Sequence, residues 1–190
     1  MRPLEQCLRG VAAATLLLMI PPGVALGAPA PAVEQYEVVQ GWPELPAGEA
    51  LGGVTGVDVD SGGSVWVFHR AGREWVEPFP AEPIARSTVW AFDGWTGRLL
   101  RSWGANLFVM PHGLAIDADD NLWLTDVGLH QVFKFAPDGK LLLTLGEAGV
   151  PGDDARHFDQ PTDVAVASDG SIFVSDGYGN ARVLKFAPDG

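Results

Sequence analysis

Two stretches of this chain repeat one another at a spacing of 50 residues, and that repeat limits the fold more than any other feature. "PHGLAIDADDNLWLTDVGLHQVFKFAPDGKL" starts at Pro111, and "PTDVAVASDGSIFVSDGYGNARVLKFAPDG" starts at Pro161. Pro111 matches Pro161, Trp123 matches Phe173 and Asp126 matches Asp176. After one extra residue, "KFAPDG" at Lys134–Gly139 recurs at Lys185–Gly190. A weaker copy comes earlier, as "GVDVDSGGSVWVFHR" (Gly56–Arg70) and "VWAFDGWTGRLLRSWG" (Val89–Gly104). There Val57 matches Leu114 and Trp66 matches Trp123 at a spacing of 57, but Val89 matches Val132 at 43. The first copy therefore carries about fourteen extra residues after Arg70.

Within each copy, short apolar or alternating runs ("LAID", "LWLT", "VFKF", "LLLTL") are separated by clusters of Asp, Gly, Asn and Pro. Such runs are strands, and the clusters are turns. Helical spacing is not sustained anywhere outside the first thirty residues. Four short strands per unit, at a period of ~40–50 residues, predict an all-β chain of β-propeller blades. A tandem solenoid is the alternative, although its units are usually helical or shorter. The copies at about 54–104, 111–146 and 161–190 make about three blades, preceded by a linker or first strand at 29–53. A propeller ring needs at least ~4 blades to leave no long open sheet edge. The last copy stops where its predecessor runs on into "KLLLTLG". The chain is accordingly read as truncated.

The beginning of the chain is of a different kind. Arg2 and Arg9 precede an apolar run from Val11 to Ile20, then Pro21-Pro22 and the small-residue segment "VALGAPAPA". This is the layout of a secretory signal peptide over residues 1–28, with a retained signal anchor as the alternative. The apolar run is about half the ~20 residues a spanning helix needs. The expectation is a secreted or periplasmic protein with no membrane insertion after cleavage. The net charge of −12 repels phosphate backbones, so nucleic acid is excluded as a partner. The one cysteine, Cys7, lies in the signal segment, which leaves no disulfide and no thiolate ligand afterwards.

Several motifs taken in order ("FHR" at Phe68–Arg70, "NLFVMPHGL" at Asn106–Leu114, "TDVGLHQVFK" and "VSDGYGNAR") resemble the lyase module of peptidylglycine alpha-amidating monooxygenase. The resemblance spans roughly residues 54–190. It implies a six-bladed propeller of NHL-type repeats in the complete protein. The implied activity is cleavage of a C-terminal alpha-hydroxyglycine into a peptide amide and glyoxylate. Zinc and a structural calcium are the implied cofactors. Motif by motif, His112 of "PHGL" becomes a zinc ligand, and Arg70 and Tyr178 become the catalytic arginine and tyrosine. Val57 and Leu114 supply backbone carbonyls to calcium. The family's remaining zinc histidines and substrate-binding arginine have no counterpart in this sequence, so the chain alone is expected to be inactive. The family often pairs cysteines at the positions of Asp159 and Gly179, and both are replaced here. A small peptide substrate and a monomeric complete protein complete the expectation.

The residues themselves partly support this chemistry. Cleaving a carbinolamide needs the hydroxyl proton removed while the departing nitrogen gains one. A metal bound near the hydroxyl acts as a Lewis acid. Catalytic zinc keeps three protein ligands and one open position. His112 at the start of an inner strand fits one ligand, or a channel-lining histidine bonded only to backbone. Tyr178 is either a base or a turn residue packed on a blade. A nearby guanidinium favours a phenolate, and Arg70 is the natural source. In the repeat register both residues follow the second strand of their copy, so they can face one channel.

His69 should point to the other face by strand alternation, His130 should sit in a turn and His157 in an acidic loop. Asp126 and Asp176 read as turn caps, and "DADDN" as a polar turn rather than a calcium loop. Most of Trp66, Trp75, Trp90, Trp95, Trp103 and Trp123 read as blade-packing residues. No phosphate loop or serine elbow is present. A propeller that only binds a protein or glycan, and a calcium-dependent six-bladed hydrolase or lactonase, remain as alternatives.

Overall fold

Eleven strands follow one another as antiparallel meanders in three sheets in the computed structural model, which describes residues 35–190. The predicted signal segment lies outside the described residues. Residues 39–190 form one compact unit, and among the described residues no strand precedes Val54 apart from an isolated bridge between Glu44 and Arg98.

The first sheet holds β1 (Val54–Val59), β2 (Ser64–His69), β3 (Val89–Asp93) and β4 (Leu99–Trp103). The second holds β5 (Pro111–Ile116), β6 (Leu122–Asp126), β7 (Gln131–Phe135) and β8 (Leu141–Leu145). The third holds β9 (Pro161–Val166), β10 (Ile172–Asp176) and β11 (Arg182–Phe186). The sheets coincide with the three sequence copies. The chain is all-β, with about three propeller blades, and the described residues contain no helix.

The alternation of side chains explains why the middle strands read as continuous apolar runs. Successive residues of a strand point to opposite faces, and here both faces are covered. Trp66, Phe68, Val89 and Ala91 of the first blade meet Leu122, Leu124, Phe133 and Phe135 of the second in one core. The intervening Val67, Trp90 and Phe92 turn the other way, onto Trp42 and Leu51. Trp123 and Val132 likewise leave the first core to pack with Val164, Ile172, Val174 and Phe158. Each fully buried side chain of this size stabilises by about 1.5–3 kcal/mol, so the two inter-blade cores dominate the fold.

The turns between first and second strands are built on a shared acid–indole pair. Asp60 accepts hydrogen bonds from the backbone of Gly62 and Ser64 and from Trp66 Nε1 at 2.9 Å. Asp117 does the same for Asp119, Asn121 and Trp123 Nε1 at 3.0 Å, and also pairs with Lys134. In the third blade the acid and the indole are lost together, as Ala167 and Phe173. The "DADDN" turn is thus a cap.

The inner strands β1, β5 and β9 run side by side, and glycine makes this possible. A Cβ on Gly56 would lie 2.8 Å from the backbone nitrogen of Leu114. A Cβ on Gly113, the equivalent position one blade later, would lie 2.6 Å from the carbonyl oxygen of Thr162. Asp58 adds a hydrogen bond across the first junction, accepting from Ile116 N at 2.8 Å.

Because the obstacle at Gly56 is backbone, Gly56→Ala is expected to destabilise the chain by about 1–3 kcal/mol. Urea unfolding measures this, and an unchanged midpoint would contradict the close-approach account.

Candidate active site

His112 is the second residue of β5 and stands where the second blade meets the third. Its Nδ1 lies 2.7 Å from the carbonyl oxygen of Thr162, the oxygen that Gly113 allows against β5. A carbonyl only accepts, so Nδ1 carries the proton and Nε2 keeps its lone pair. Nε2 lies 3.0 Å from the hydroxyl of Tyr178, which donates to it. Burial lowers the pKa of His112, and Arg70 lowers it further against the opposing pull of Thr162 and Asp163. The imidazole is therefore held in the neutral form that can bind a metal or accept a proton.

Tyr178 follows β10 by two residues and is 55% exposed, so its phenol faces an open cleft. Its ring meets His112 edge-to-face at 5.2 Å. Its turn is held from below by the wholly buried Asp176, which accepts from Asp159 N, Asn180 Nδ2 and Arg182 Nε. Gly179 N donates to Asp159 O at 2.9 Å, and the Asp159 carboxylate fills the space a Gly179 side chain would take. The two positions where the resembling family pairs cysteines are thus in contact.

Arg70 directly follows β2 and donates from Nε to the carbonyl of Pro111 at 3.2 Å. That bond ties the first blade's arginine to the residue preceding His112. Burial lowers the pKa of its guanidinium, while the fields of Tyr178 and Asp126 raise it. Asp126 closes β6 beneath, accepting from the backbone of Val109, Met110, Gly128 and Leu129. Its burial raises its carboxyl pKa despite those four donors. Asp126 and Asp176 are the turn caps the repeat implied.

The sequence did not single out Trp75 for this place. It lies in the connection between β2 and β3, within the extra residues of the first copy, and on no strand. The Arg70 guanidinium sits 4.9 Å from its ring. Tyr178 and His112 lie edge-to-face with it at 5.5 and 6.3 Å. Trp75 is thus one of the two exceptions to the expectation that most of the six tryptophans pack the blades. Trp95 is the other, 95% exposed in the β3–β4 turn. Trp66, Trp90, Trp103 and Trp123 do lie on strands. The signal available for Trp75 was its position in an insertion that the other copies lack.

Val57 and Leu114, on β1 and β5, line one cavity of about 460 Å³ with His112, Gly113, Thr162 and Asp163. Val57, Leu114 and His112 are therefore brought to one cleft. His112 Nε2 fits a metal ligand whose other nitrogen is fixed by a carbonyl. Among the described residues no group of three or more His, Cys, Asp or Glu is placed to share a metal.

The other histidines sit apart. His69 is wholly buried, bonded through Nδ1 to Leu51 O and packed against Trp90. His130 lies in the β6–β7 turn and accepts from Gln160 N. His157 lies in the acidic loop, bonded to Asp154 at 2.9 Å and near Glu147.

In sequence and in fold the chain is similar to several known proteins. The NHL repeat model matches residues 108–135 and 158–186. Peptidyl-alpha-hydroxyglycine alpha-amidating lyase 1 of Drosophila melanogaster is 48% identical over 153 residues, covering 74% of this chain and 28% of that protein. Lyase 2 of the same species is 44% identical over 169 residues, covering 83% of this chain and 41% of that protein. The chain thus spans less than half the length of these relatives. Virginiamycin B lyase from Staphylococcus aureus shares the fold, with a TM-score of 0.51 and 17% identity, over 73% of this chain and 39% of that one.

Proton-detected titration should separate the histidines. Asp154 raises the pKa of His157 above 6.5, whereas burial lowers those of His69, His112 and His130. With its folded value raised, the His157 contribution to stability is fully present below 6.5 and is lost as pH rises from there through the higher folded value. Asp154→Asn is expected to bring His157 back down, and a His157 midpoint below the other three would contradict the assignment.

Proposed function

We propose that this NHL-repeat chain, similar in sequence to the peptidyl-alpha-hydroxyglycine alpha-amidating lyases, carries catalytic groups of a zinc-dependent lyase. The reaction is cleavage of a C-terminal alpha-hydroxyglycine to a peptide amide and glyoxylate. The observation that carries the reading is the 3.0 Å contact between Tyr178 Oη and His112 Nε2, with Arg70 reaching in from the first blade. Three motifs far apart in sequence converge on one cleft, and the names of relatives at 44–48% identity support a lyase of this type.

Tyr178 Oη, as phenolate, takes the proton of the substrate hydroxyl. The electron pair left on oxygen forms the carbonyl of glyoxylate as the C–N bond breaks. The departing amide nitrogen receives a proton, for which the Tyr178 phenol is the adjacent donor, so the tyrosine returns to its starting state. Arg70 stabilises the negative charge carried in turn by Oη and the substrate oxygen. The neutral His112, fixed at Nδ1 by Thr162 O, presents Nε2 to the same cleft.

With Tyr178 ionised and no longer donating to it, His112 Nε2 would be free to serve as a protein ligand to zinc, which supplies Lewis-acid polarisation of the substrate oxygen when bound. Carbonyls of Val57 and Leu114 would hold calcium where inner strands meet. The signal-like residues 1–28 support export, to the exterior or a periplasm.

In the complete lyase, Tyr178→Phe is expected to reduce kcat for glyoxylate release by about 100-fold or more with zinc content unchanged. Undiminished release by the phenylalanine variant would remove Tyr178 from the mechanism.

A further inference from the structure

We infer that Trp75 is a positioning residue of this site, holding the Arg70 guanidinium and the Tyr178 ring in one aromatic–cationic stack. The Arg70 side chain has a single hydrogen bond, from Nε to Pro111 O, and among the described residues neither of its terminal nitrogens has a hydrogen-bond partner. A long side chain tied at one atom would swing about that tie. The indole face at 4.9 Å supplies a second restraint, since a guanidinium stacks on an aromatic ring by cation–π attraction. That restraint consumes no hydrogen-bond donor and leaves the terminal N–H groups available to a substrate oxygen. Among the described residues no carboxylate forms an ion pair with Arg70, so the indole holds the cation without neutralising it.

The indole is itself held. Phe79 meets it edge-to-face at 4.9 Å from the same connection and packs in turn on Val109, Met110 and Val127. Arg73 Nη1 donates to Glu82 O and Val109 O, at 2.8 and 3.0 Å, pinning the connection to the segment that leads into β5 and His112. Ile84 N and Asn106 N close it again, against Phe108 O and Ile84 O. The insertion in the first copy is therefore a support that delivers Trp75 to the mouth of the second and third blades. The other two blades connect these strands in four or five residues and have nothing equivalent.

What the positioned groups do rests on the lyase reading, whereas the contact does not. The test uses the 190-residue chain and the variants Trp75→Leu and Trp75→Phe. Heteronuclear NMR reads the Arg70 Nε–H resonance, which the indole ring current displaces, and amide dispersion reports folding. Trp75→Leu is expected to move the Arg70 and Tyr178 ring signals with amide dispersion kept, and Trp75→Phe to restore most of both positions. An Arg70 signal unmoved in Trp75→Leu overturns the proposal. In the complete lyase, Trp75→Leu is expected to lower kcat by about 100-fold with little change in KM, and Trp75→Phe to recover much of it. Equal turnover by Trp75→Leu and wild type also overturns the proposal. If wild type releases no glyoxylate while the NMR displacements are as described, the lyase reading fails and the positioning role stands.

Discussion

The site depends on how closely the inner strands approach one another. Gly113 has no Cβ, so the Thr162 carbonyl of the next blade comes against β5. That same oxygen receives the Nδ1 proton of His112 and fixes which imidazole nitrogen faces the cleft. It also accepts from Thr125 Oγ1 at 3.1 Å, while Gly113 N donates to the Thr125 hydroxyl at 2.7 Å. A packing requirement at the centre and a chemical requirement at the mouth are met by consecutive residues, His112 and Gly113.

Around that junction the blades share their load between two cores and a set of buried acids. The two-faced burial of β2, β3, β6 and β7 fixes each blade against its neighbour. Asp126 and Asp176 then fix the strand ends, each collecting several donors in place of water. A buried carboxylate left without such donors would be costly, so these caps hold their turns tightly. Tyr178 follows β10, whose end Asp176 fixes, and Arg70 directly follows β2. The catalytic candidates are thus loop residues carried by a rigid frame.

Much of this was legible in the chain itself. The repeat at 50 residues placed the strands, and the shared register put Arg70 and Tyr178 at equivalent blade ends. His69 could be set apart from Arg70 because adjacent strand residues face opposite sides. Trp75 was not legible, since an insertion has no counterpart from which to read its direction. Its indole also looked like the strand tryptophans in composition. Nor could alternation reveal that Thr162 would choose the tautomer of His112, because that contact joins different blades. Asp60–Trp66 and Asp117–Trp123 share a six-residue spacing that does appear in the sequence. Only the geometry shows it to be a hydrogen bond.

The electrostatic character of the cleft follows from the same arrangement. In a chain of net charge −12, the mouth holds a half-buried guanidinium with no acidic partner, beside a neutral imidazole and a phenol. The central claim is that three blades deliver these groups to one place. Nuclear Overhauser contacts between the His112 and Tyr178 ring protons, in the folded chain, test it most directly. The account predicts strong contacts, at ring centroids 5.2 Å apart, with Trp75 contacting both. Their absence in a chain with fully dispersed amides would contradict it.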